Sequence, residues 1–156
     1  MLEKTALIDL LCSNFPEIDP KTLWLTECEI TRDNLHEWVD DLFIYTDEQL
    51  CWVLPKILLI FLDGSGNETD LMQLIDFLNV EKSPDLFPDE PDNWPGGLLS
   101  EAKKYIFESF TCPMCVAVRE WLILIATGTL NIDHLKEIRS ATKYWSNFVA
   151  RKCLKH

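Results

Sequence analysis

The chain has 156 residues, 47% of them apolar, only 5 glycines and a formal net charge of −12. A length and composition of this kind fit one globular domain and exclude a disordered chain. The surplus of carboxylates excludes direct nucleic-acid binding on the acidic face, which repels phosphate.

Residues Glu3–Ser13 read as a first helix with Leu7, Ile8, Leu11 and Phe15 on one side, ended by Phe15-Pro16. Asp19-Pro20 marks a turn, and Thr22–Glu29 alternates apolar with polar residues weakly enough to be a short strand or an irregular link. Thr31 is the expected cap of a second helix through Leu42, which buries Leu35, Trp38, Val39 and Leu42 and carries Asp33, Glu37, Asp40 and Asp41 on its other face.

The longest apolar run, Leu50–Leu62, is interrupted only by Pro55 and Lys56. A segment apolar on every side belongs in the middle of a protein, and this one falls short of the roughly 20 residues that span a bilayer. Thr46 and Gln49 have the spacing of a capping box and Gly64 supplies a stop, while Pro55 is expected to kink or break the helix.

After the polar turn Asp63–Asn67, Thr69 is the expected cap of a helix burying Leu71, Leu74, Ile75 and Leu78 and leaving Glu68, Asp70 and Asp76 wet. Residues Glu81–Gly97 break the helical pattern with Pro84, Pro88, Pro91 and Pro95, interleaved with Asp85, Asp89, Glu90 and Asp92 and the aromatic residues Phe87 and Trp94. A loop this long in a small domain is usually functional. Ala102, Tyr105, Ile106 and Phe110 then pattern another helix. Thr111 caps the next, to about Thr127, with Cys115, Val118, Trp121, Leu122 and Ile125 as its buried face and Gly128 as its stop. The last helix, from about Asp133 to Lys152, opposes Leu135, Ile138, Thr142, Trp145 and Val149 to a basic stripe of Lys136, Arg139, Lys143 and Arg151. The fold expected is all-α: a single domain over residues 1–156, six or seven helices packed around a central Pro-kinked helix.

Chemistry is scarce. Cys112-Pro113-Met114-Cys115 at a helix start can hold a thiolate, because unpaired amides and the helix dipole favour negative charge there. A thiol redox protein or sensor using Cys112 and Cys115 is therefore one reading, although a helical stretch precedes the motif where thioredoxin-like folds have a strand. No metal ligand set and no cofactor motif is recognisable, and His36, His134 and His156 are too scattered to form a catalytic triad. The six cysteines, Cys12, Cys28, Cys51, Cys112, Cys115 and Cys153, do not make a disulfide scaffold. Met1–Leu11 has Glu3 and Asp9 where a signal peptide would be apolar, so a cytoplasmic location is expected.

The acidic charge is concentrated in the first hundred residues, with 21 acidic against 5 basic. Complementary potentials steer encounter, so this surface fits a basic protein partner. The contacts expected are Asp40, Asp41, Asp47 and Glu48 around the second helix, with Asp85, Asp89, Glu90 and Asp92 in the Pro-rich loop and Trp94 as an aromatic anchor.

Four landmarks carry a resemblance: Trp38, the Trp52–Leu59 block (W-V-L-P-K-I-L-L), Asp76-Phe77-Leu78, and Tyr144-Trp145. Over about Leu35–Phe148 they are similar to an uncharacterised family of small, mostly helical bacterial proteins. The resemblance implies a helical fold and supplies no catalytic residue; Cys112–Cys115 departs from the family's polar helix start. By size, acidity and lack of catalytic signature alone, the chain also resembles the immunity proteins that neutralise interbacterial toxins, which are often basic nucleases. That likeness implies a non-catalytic cytoplasmic inhibitor that occludes a basic toxin domain and binds no membrane.

Overall fold

In the computed structural model, which describes residues 2–25, 27–80 and 104–154, the fold is an all-α bundle. Its elements are α1 (Lys4–Asn14), a 3-10 turn (Pro20–Leu23), α2 (Leu35–Asp40), α3 (Asp47–Leu62), α4 (Glu68–Leu78), α5 (the helical residues 104–108), α6 (Cys112–Thr127) and α7 (Ile132–Cys153). No strand occurs among the described residues, and Thr22–Glu29 is partly a 3-10 turn and partly irregular.

The central helix starts where Thr46 and Gln49 place it. The Thr46 hydroxyl accepts from the Gln49 amide at 3.2 Å and the Gln49 side chain accepts from the Thr46 amide at 3.0 Å, so two orphan donors are satisfied reciprocally. Pro55 does not break the helix, which runs unbroken from Asp47 to Leu62 with the proline ring buried. Lys56 follows it by laying its ammonium over the Trp52 ring, 4.4 Å from the centroid. Gly64 ends the segment with φ +76, a conformation that costs glycine nothing.

α3 packs against α1, α2 and the 3-10 turn, and α7 against α4 and α6. Two buried tryptophans bind these parts together. Trp121 of α6 donates its indole N–H to the Leu58 carbonyl of α3 at 2.9 Å, and Trp145 of α7 donates to the Leu78 carbonyl of α4 at 2.8 Å. Each therefore enters the core with its polar atom satisfied. Around Trp145 the rings of Phe107, Phe110 and Phe148 pack mostly edge to face, with the Phe107 centroid 4.8 Å away.

Several helix starts differ from the sequence expectation, each for a local reason. α2 is shorter and Thr31 does not cap it. The Asn34 side chain folds back instead, accepting from the Thr31 amide at 2.7 Å and donating to the Glu29 carbonyl at 2.9 Å, so residues 31–34 form a turn. Asn67, not Thr69, caps α4 by accepting from the Asp70 amide at 2.8 Å. Asp70 itself, expected in solvent, is only 2% exposed. Tyr105 is exposed, and Phe107 takes the core position beside Phe110; Ala102 lies outside the described residues.

The cysteines bring the clearest correction. Cys112 is joined to Cys153 in a disulfide that ties the first turn of α6 to the last turn of α7. Both halves of that bond lie in helical patterns 41 residues apart, where nothing local marks them as a pair. The other four cysteines are free thiols. No described helix is long and apolar enough to cross a membrane.

Candidate functional site

The candidate site grows out of the 3-10 turn. Asp19 accepts from the Lys21 amide at 3.0 Å and opens the turn; Pro20 presets its first residue. The turn closes at Trp24, whose φ of 59 and ψ of 32 are left-handed. A bulky side chain rarely adopts that conformation, at a cost of roughly 1–3 kcal/mol. The consequence is an indole held out in solvent, 93% exposed. The Gln49 side chain secures the turn to α3 by donating to the Leu23 carbonyl at 2.7 Å.

Trp24 forms one wall of a cleft of about 540 Å³, lined also by Leu25, Glu27, Glu37, Trp38, Asp41, Ile44, Tyr45 and Gln49. Trp38 is nearly buried and forms the floor, its ring 5.9 Å from that of Tyr45 and 5.8 Å from that of Trp52. Ile44 adds an exposed aliphatic edge. Burial, helped by the Asp41 charge, pushes the Tyr45 hydroxyl up to about 12, so it stays a neutral donor. Glu27 receives the Asn34 amide at 3.0 Å. The Glu37 and Asp41 carboxylates are exposed and make no hydrogen bond or ion pair within the described chain. Among the described residues no lysine or arginine lines the cleft.

Of the acidic residues expected to meet a partner, Asp41 lines this cleft and Asp40 does not. Asp40 is engaged on the α4 side, where it accepts from Gln73 at 2.8 Å and faces the His36 Nε2 at 3.1 Å. His36 Nδ1 lies 2.6 Å from the buried Asp70, so both ring nitrogens meet carboxylates. These contacts, the Asp70 hydrogen bond first and the Asp40 charge next, raise the His36 pKa and favour the imidazolium, whose two N–H groups can donate to both acids. Asp47 and Glu48 occupy the first turn of α3, where they complement the helix dipole. Asp85, Asp89, Glu90, Asp92 and Trp94 lie outside the described residues.

The expected thiol pair is not assembled. Cys112 is bonded to Cys153, and Cys115 is buried, which pushes its thiol up to about 12 and away from the reactive thiolate. Cys51 is likewise raised, to about 11, by burial and by the charges of Asp47 and Glu48. A dithiol that exchanges electrons needs its two sulfurs to reach each other, and here one already has a different partner. Among the described residues no three His, Cys, Asp or Glu side chains group as a metal site would require.

Trp24, Glu27, Ile44 and Tyr45 belong to no motif in the sequence. One signal was present: Trp24 follows a Pro-started turn and lies outside any helical stripe, so no periodicity required it in the core. No protein-family model matches the chain, and no curated protein and no solved structure matches it either.

Proposed function

We propose that the chain is a non-catalytic binding protein, of the immunity or antitoxin kind, whose acidic surface receives and occludes a basic protein partner such as a toxin domain. The observation that carries this reading is the cleft beside α2: exposed Trp24 and Ile44, a Trp38 floor, and the free carboxylates of Glu37 and Asp41, with no basic residue among them. Exposed aromatic side chains ringed by charge are what interface hot spots are made of, and a negative rim selects a positive partner.

Cytoplasmic residence belongs to the same proposal. Four free thiols, two of them exposed at Cys12 and Cys28, fit a reducing compartment. The Cys112–Cys153 bond is the one feature that argues the other way.

The test is hydrogen exchange on the complex recovered from the native host. Protection of amides between Trp24 and Tyr45 on binding a basic protein supports the proposal. A recovered partner that is acidic, or that protects only the far ends of α6 and α7, contradicts it.

A further inference from the structure

The lining of the α2 cleft is more particular than an acidic patch requires. It combines three aromatic rings, Trp24, Trp38 and Tyr45, with the Glu37 and Asp41 carboxylates, which make no ion pair among the described residues; the Glu37 charge is only the smallest of those acting on His36. An apolar occupant would strip water from Glu37 and Asp41 without returning a hydrogen bond, which costs free energy. An anion would be repelled. A hard metal ion finds no cluster of three ligating groups among the described residues. What remains is an organic cation with both a flat face and several donors.

Arginine has that form. Its guanidinium is planar, weakly hydrated and stacks on indole, while its fork of N–H groups meets carboxylates in pairs. A lysine ammonium is a strongly hydrated point charge and uses an indole wall less well. Of the other polar groups in the cleft, Glu27 receives the Asn34 amide, the Tyr45 hydroxyl is a neutral donor, and Gln49 is committed on both sides: its amide donates to the Leu23 carbonyl and its oxygen accepts from the Thr46 amide. Gln49 therefore holds the Trp24 wall in place and leaves recognition to the carboxylates and rings.

Resting on the reading of the partner as a basic protein, we infer that the cleft between Trp24 and α2 is a receptor for one arginine side chain of that partner. The guanidinium stacks on the Trp24 indole and donates to Glu37 and Asp41, and the aliphatic stem of the arginine runs past Ile44. An immunity-type protein built this way would gain specificity from one inserted side chain as well as from net charge.

The experiment uses the full chain and three blocked tripeptides, glycyl-arginyl-glycine and its lysine and citrulline counterparts. Binding is followed through the Trp24 indole N–H resonance, assigned with Trp24→Asn, a substitution that suits left-handed backbone. The arginine peptide should shift that resonance saturably, and the lysine peptide should bind about 5-fold more weakly, as expected for the loss of a stacked guanidinium. The citrulline peptide, which keeps the shape and lacks the charge, should not bind. Glu37→Gln with Asp41→Asn should weaken the arginine peptide roughly 10-fold while the melting temperature stays near that of the wild type.

Equal binding of the arginine and lysine peptides would overturn the inference in favour of generic charge. Binding of the citrulline peptide would overturn it in favour of an apolar groove. If the recovered basic partner binds Trp24→Asn as tightly as the wild type and no peptide shifts the indole, the inference falls and the proposed function survives with its interface elsewhere. If the arginine peptide saturates the cleft but no basic protein associates with the chain, the arginine site stands and the inhibitor reading falls.

Discussion

The α6–α7 end of the molecule and the α2 side both rely on tryptophan, and they use it in opposite ways. Trp121 and Trp145 are fully buried, each with its indole N–H spent on a carbonyl of a neighbouring helix, and a disulfide closes the far ends of their two helices. Trp24 stands in solvent on strained backbone beside carboxylates with no partner, at the edge of a helix only six residues long. One region pairs the N–H of each indole it buries and turns neither ring outward. The other leaves rings and charges unsatisfied, which stability alone does not explain. Sites of function are commonly drawn from such locally unfavourable regions.

The contrast can be broken most forcefully at the closed end. Trp145→Ala should destabilise the fold by roughly 3–5 kcal/mol, because it removes a large side chain and leaves the Leu78 carbonyl without its donor. Denaturant unfolding measures this, and a loss under about 1 kcal/mol would show that α7 is not fastened to α4 as described. Next in size is the disulfide. Closing a loop of 41 residues restricts the unfolded chain by about 3–4 kcal/mol in the chain-entropy treatment, so Cys112→Ser should lower the melting temperature by roughly 10 °C. Counting thiols under denaturing, non-reducing conditions should give four; a count of six would remove the bond from the account.

On the open side the effects on stability should be smaller, and one of them reversed. His36 links α2 to α4 and its pKa is raised, so the link is fully present below the ordinary value of 6.5 and is lost as pH rises through the folded-state value. Thermal stability should therefore decline on going from acidic-neutral to alkaline pH, and His36→Gln should flatten that decline. An NMR titration showing a His36 pKa below 6.5 would contradict this. Trp24→Asn should leave stability unchanged or raise it by about 1 kcal/mol, since asparagine tolerates the left-handed backbone that strains tryptophan. The same substitution should speed dissociation from the partner about 10-fold, through loss of an aromatic anchor. A variant destabilised as much as Trp145→Ala would erase the distinction between the two regions.

The core was legible because its signals are local. Thr46 with Gln49 and Thr111 start their helices as read, and the Leu50–Leu62 run sits at the centre. The open side was legible only in part. Asp41 was found from charge alone, yet its neighbour Asp40 is turned toward His36, one helical turn back, and toward Gln73, 33 residues away. Asp70 reads as a solvated first-turn acid until His36 is brought to it from another helix. Trp24 is exposed because of a single backbone torsion, which residue periodicity does not encode. Cys112 is read with Cys115, three residues away, because that spacing is local; its bond to Cys153, 41 residues on, comes from the packing of α6 on α7.

We propose that the acidic, aromatic cleft beside α2 receives a basic partner. This is tested most directly by the association rate of the chain with that partner at low and at physiological salt, for the wild type and for Glu37→Lys with Asp41→Lys. The wild-type rate should fall about 10-fold or more as salt is raised, and the double variant should associate slowly at low salt with little further salt dependence. Its melting temperature should fall only slightly, because both side chains are exposed and make no ion pair among the described residues, while Glu37 gives the α2 N-terminus and His36 a small favourable charge. A wild-type rate indifferent to salt, or a double variant that associates as fast as the wild type, would contradict the claim.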